Sequence, residues 1–149
     1  MKKILILCLG LFYSLSSNAL SSYEANYDFY ASLGIGSIKV GNADFKLEAD
    51  DHRYIYTNNA SVSPLWRTIY DYSRTEKSSG IVVNGQLISN NYGLMETKDD
   101  SVKKNIEINI FSDQSFSMVG GVKYLKTGPG KVVDELNLYL VLSQDISKQ

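Results

Sequence analysis

Outside residues 1–19 the 149-residue chain contains no cysteine, so it can build neither a disulfide framework nor a thiolate nucleophile. Histidine occurs once, at His52, which leaves a nucleophilic triad or a multi-histidine metal site only that residue to form around. No apolar run reaches the ~20 residues that a helix needs to cross ~30 Å of hydrocarbon. The longest, Ile4 to Leu15, is far shorter. An excess of basic charge is also missing. Of 15 Lys and Arg, two (Lys2 and Lys3) precede the apolar run, leaving 13 against 16 acidic residues. The densest basic stretches, Lys98 to Lys104 and Lys123 to Lys131, carry three cations each and read as solvated loops or edges. Nucleic acid is therefore not an expected partner, since phosphate binding calls for a basic stripe.

What is present begins with a leader. Lys2 and Lys3, the run Ile4 to Leu15 and the polar, small Ser17-Asn18-Ala19 match the three regions of a secretory signal peptide, with cleavage expected after Ala19. Cys8 lies inside the apolar run rather than after it, so lipidation there is not expected. Residues 20–149 then form one domain, with no transmembrane span after cleavage and a periplasmic location. About 130 residues suffice for a single core.

Eleven tyrosines, frequent β-branched residues and only two prolines favour strands. Tyr23 to Ala31 reads as a first strand. Ile38, Val40, Ala43, Phe45 and Leu47 alternate with polar neighbours, with a phase slip at Gly41-Asn42 that a bulge would absorb. Asp50-Asp51-His52 punctuates the chain before Arg53 to Ser61, making a hairpin. Ser63-Pro64-Leu65-Trp66 reads as a corner or single helical turn. A strand follows over Thr68 to Lys77, and Asn84-Gly85 between apolar runs predicts a type I′ hairpin turn. Glu96 to Lys104 reads as a polar interval. Ile106, Ile108 and Ile110 then alternate as a strand, and an Asp113-Gln114 turn leads into another strand through Phe116, Met118 and Val122. Strands joined by short turns imply a mainly β domain, an antiparallel meander forming a curved sheet or open barrel. After Gly128-Pro129-Gly130, Leu136, Leu138, Leu140 and Leu142 fit a strand, whereas Val133, Leu136 and Leu140 fit a helical stripe. Local pattern leaves both open.

Four features in order carry a resemblance: Tyr23-Glu24-Ala25, Ile38-Lys39-Val40-Gly41, Asn84-Gly85 after a Ser-Arg-Thr-Glu strand, and Asp134 opening a Leu-rich segment. Together they resemble the bacterial domain-of-unknown-function family 3108, whose members are generally secreted or periplasmic proteins without assigned activity. The resemblance spans the mature chain and implies that Val132 to Gln144 is a C-terminal helix following the first group of strands. Family domains usually continue into further strands, whereas this chain stops at Gln149. The resemblance thus implies a short or C-terminally truncated member.

Few constellations offer chemistry. His52 beside Asp50 and Asp51 reads as exposed turn polarity, and neither Asp50-Asp51 nor Asp99-Asp100 has the alternating oxygen ligands of a calcium loop. Gly34-Ile35-Gly36 and Gly120-Gly121 do not lead into helices and read as turns or bulges. Asp134-Glu135 fits helix-start charge. No catalytic residue, metal or cofactor is expected, and an enzyme is the least favoured reading. The remaining candidates are aromatic: Tyr54, Tyr56, Trp66, Tyr70, Tyr72 and Tyr92. They could line one side of a curved sheet and hold a lipid or other apolar small molecule, or simply pack across strands. The preferred expectation is a binding module in the envelope. The alternative is a structural or assembly module that docks on an envelope protein through a strand edge or an apolar helix.

Overall fold

A hairpin whose turn demands positive φ at two residues sets the pattern for the whole molecule. The computed structural model describes residues 21–32, 34, 36–111, 116–119, 121–125 and 133–146. In it, β4 (Tyr72–Val83) and β5 (Gln86–Lys98) are joined by Asn84 and Gly85 at φ 52° and 72°, as the Asn-Gly pair predicts. The other strands are β1 (Tyr23–Ser32), β2 (Ser37–Ala49), β3 (Arg53–Val62), β6 (Ser101–Ile110), β7 (Phe116–Val119) and β8 (Val122–Leu125). They pair in the order of the sequence, β1 to β8, all antiparallel, as one eight-stranded meander that does not close into a barrel. A short helix α1 (Pro64–Arg67) turns the corner between β3 and β4, and α2 (Leu138–Ile146) follows the sheet. Mainly β, antiparallel and ending in a helix, the fold is the expected one. Among the described residues, no helix is long and apolar enough to cross a membrane.

Side chains of directly paired residues share a face, so the register divides the sheet cleanly. Phe45 and Leu47 of β2, Tyr54 and Tyr56 of β3, Glu76 and Ser78 of β4 and Tyr92 and Leu94 of β5 lie on one face, here called inner. Lys46, Thr57, Lys77 and Met95 lie on the other. The core is formed where Leu136 and Leu140 press on Leu47, Tyr54, Tyr56, Leu87, Tyr92 and Leu94 of the inner face.

Turn chemistry explains most connections. Between β2 and β3, Asp50 Oδ1 accepts the backbone N–H groups of His52 (2.8 Å) and Arg53 (2.9 Å), which holds its carboxyl below the usual range and leaves His52 exposed in the turn. At the corner, Pro64 begins α1, and Trp66 C=O accepts the N–H of Tyr70 at 2.9 Å. Where β5 bulges against β4, with Asn90 as the extra residue opposite Ser79 and Gly80, the backbones come so close that a Cβ on Gly80 would lie 1.9 Å from Ile88 O.

Several boundaries differ from the sequence expectation. The strand expected from Thr68 begins only at Tyr72, because residues 68 and 69 complete the turn after α1 and Ile69 is left exposed. Glu96 to Lys104 is not a loop. β5 and β6 run through it around Asp99 and Asp100, both at positive φ (51° and 57°), and polar side chains hid the strand because this end of the sheet bears them on both faces. The single strand through Phe116 and Val122 is two, folded back at Gly121 (φ 81°). The slip placed at Gly41-Asn42 lies one residue earlier: Phe29 pairs with Gly41 and Tyr30 with Lys39, leaving Val40 as the extra residue. The Leu-rich segment is helical, but α2 begins at Leu138 rather than Val132 and ends at Ile146 rather than Gln144. The expected leader, the expected Asp113-Gln114 turn and Gly128-Pro129-Gly130 lie outside the described residues.

Candidate functional site

The polar start of α2 fixes the helix on the sheet. Asp134 Oδ1 accepts the N–H of Asn137 at 2.8 Å, and Asn137 Oδ1 accepts the N–H of Asp134 at 3.1 Å, a reciprocal cap of the capping-box kind. The same two side chains reach into the inner face. Ser78 and Ser89 donate their hydroxyls to Asp134 Oδ2, Ser78 at 2.6 Å, and Asn137 Nδ2 donates to Tyr54 OH at 2.8 Å. Since the Ser78 proton goes to Asp134, Tyr54 OH donates to Ser78 Oγ across their 3.1 Å contact. All five residues are buried, and burial pushes the Tyr54 hydroxyl pKa up.

To one side of this lock the helix does not cover the sheet. A groove of about 600 Å³ runs between α2 and the first three strands. Its floor is the inner face of β1 and β2, where Tyr23, Ala25, Tyr27 and Phe29 fall at alternate positions beside Phe45, and Tyr56 continues the surface on β3. Leu136 and Tyr139 form the helix wall. The rings touch in sequence. Tyr27 meets Phe45 edge-on with centroids 5.7 Å apart, Phe45 and Tyr56 lie at 6.2 Å, and Tyr23 donates to Tyr56 OH at 3.2 Å.

One end of the groove is charged. Arg74 grips Glu76 with Nε and Nη2 at 2.9 and 2.8 Å, its Nη1 meets Glu96 at 2.7 Å, and Glu135 of the helix segment lies at 3.6 Å. Glu76 is only 4 % exposed and also accepts Tyr92 OH at 2.7 Å and Asn58 Nδ2 at 3.2 Å. Burial pushes the Glu76 carboxyl up, but the donors from Arg74, Tyr92 and Asn58 together with the guanidinium charge outweigh it, and its pKa lies below the ordinary value. The same burial and the Glu76 carboxylate push the Tyr92 hydroxyl up. Among the described residues, no group of three His, Cys, Asp or Glu side chains is placed to hold a metal ion.

A second hollow of about 380 Å³ lies beyond Phe29 at the α1 corner, lined by Val40, Ala60, Trp66, Tyr70 and Tyr72. Tyr70 and Tyr72 stack at 6.1 Å, with Lys98 Nζ 4.9 Å from the Tyr70 ring.

The six aromatic candidates therefore do not line one cavity. Tyr54 and Tyr92 are 1 % and 4 % exposed and act as core and hydrogen-bonding residues. Tyr56 borders the groove, while Trp66, Tyr70 and Tyr72 gather in the second hollow. Sequence reasoning missed Tyr23, Tyr27, Phe29 and Phe45, although the period of two along β1 would have placed the first three on one face. It also missed Arg74 and Glu76. No family model matches this chain, and no match emerged among curated proteins or solved structures.

Proposed function

We propose that the chain is an exported, periplasmic carrier that holds a lipid or other apolar molecule in the groove beside α2. One observation carries the reading: on the inner face of β1, Tyr23, Tyr27 and Phe29 remain 40, 55 and 49 % exposed beside a groove of about 600 Å³. A row of aromatics on the core side of a sheet is stabilised by whatever removes it from water, at roughly 25 cal/mol per Å². Export and the family resemblance read from the sequence belong to the same proposal.

A second reading rests on the same strand. β1 is a ten-residue edge whose outer side has no partner strand in the described sheet, and an envelope protein could add a strand there. Native mass spectrometry with organic extraction separates the two. The full chain, expressed with its leader and purified gently, should carry an apolar molecule at stoichiometric occupancy, and Tyr27→Ala or Phe29→Ala should lower that occupancy. A folded, ligand-free protein with unchanged spectra in both variants would overturn the carrier reading in favour of docking.

A further inference from the structure

The charged end of the groove specifies the head group of its occupant, an inference that rests on the carrier reading. Among the described residues, one guanidinium faces three carboxylates there, Glu76, Glu96 and Glu135. The guanidinium is committed: two of its nitrogens hold both oxygens of Glu76, and the third holds Glu96. A carboxylate or phosphate head entering the groove would find no open fork to bind it, and an excess of negative charge against it. Glu135 is the accessible member, 67 % exposed and, among the described residues, held by its 3.6 Å contact with Arg74. Asn58 commits its amide nitrogen to Glu76, and its buried Oδ1, without a hydrogen-bond partner among the described residues, adds an acceptor rather than a donor at this end.

From this charge complementarity we infer that the groove takes a cationic amphiphile. Its apolar chain lies on the β1–β2 aromatics and its ammonium head, donating a hydrogen bond, sits on the exposed Glu135 carboxylate at the charged end. Glu135 is then the specificity-determining residue, acting through charge.

Calorimetric titration of the full chain with dodecylammonium, dodecanol and dodecanoate, each below its micellar concentration, tests this at neutral pH. Dodecylammonium should bind at least about tenfold more tightly than dodecanoate, with the alcohol between them. Glu135→Gln should narrow the ratio about two- to fivefold, and Glu135→Lys should narrow it further. Far-UV circular dichroism of both variants checks that the exposed substitution leaves the fold intact. Equal binding of the two ions, tighter binding of dodecanoate, or a ratio unmoved by Glu135→Gln would overturn the inference while leaving the carrier reading standing. No binding by any of the three overturns both.

Discussion

Replacing Asp134 with alanine tests whether the helix is held by its cap or only by its leucines. The substitution removes the acceptor for the Asn137 N–H, a loss of about 1 kcal/mol by analogy with other helix caps. It also strips Ser89 of its acceptor in a fully buried site, which costs about 1–3 kcal/mol, while Ser78 retains Tyr54. Relief of the buried carboxylate offsets part of this, so the net loss is about 2 kcal/mol. With a urea slope of ~2 kcal/mol/M for a domain of this size, the unfolding midpoint should fall by about 1 M. The double-mutant cycle is the sharper assay. Ser89→Ala alone should destabilise by ~1 kcal/mol, yet it should cost almost nothing once Asp134 is alanine. An additive cycle, or a midpoint shift below about 0.5 M, would refute the claim that this network fastens α2 to the sheet.

Gly80→Ala should destabilise by ~3 kcal/mol or more in the same urea assay, because its Cβ would strike Ile88 O at 1.9 Å, whereas Gly93→Ala, with nothing within 4 Å, should stay within ~1 kcal/mol of the parent. Leu140→Ala should cost about 2–5 kcal/mol by opening a void against the inner face, read as an equal loss by thermal and urea unfolding. The pH dependence follows from signs. Glu76 has a depressed folded-state pKa, so its contribution is present above the ordinary carboxylate value and is lost as pH falls through the folded value. Burial raises Tyr54, Tyr56 and Tyr92, so their contribution is present below the ordinary phenol value near ~10 and is lost as pH rises beyond it. Urea midpoints measured across pH should therefore fall on both flanks, with Glu76→Gln flattening the acid flank and Tyr92→Phe easing the alkaline one.

The hairpins were legible where one residue type monopolises a conformation. Asn84-Gly85 and the Asp50 turn belong to that class, whereas Asp99-Asp100 places two non-glycine residues at positive φ, which composition does not announce. The helix was undecidable locally because leucines at 136, 138, 140 and 142 satisfy both periods. The Asp134–Asn137 cap and the fit of Leu136 and Leu140 against the sheet settle it. Arg74 and Glu76 escaped notice because the residues alternating with them in β4, Ser73, Thr75 and Lys77, are also polar. Only the register shows which set is inside.

The strand order has a consequence for how the chain assembles. Each strand pairs with its sequence neighbours, so a chain emerging N-terminus first can zip the sheet hairpin by hairpin, with small loop-closure entropy at each step. The contacts of α2 are of another kind, joining Asn137 to Tyr54 across 83 residues and Asp134 to Ser78 across 56. They form only after the strands they bridge exist. Until the helix docks, the inner face stands uncovered, and the groove that later has one open side is then a broad, accessible surface. Under the proposed carrier reading, the window for loading a bulky occupant is widest during folding, before α2 docks.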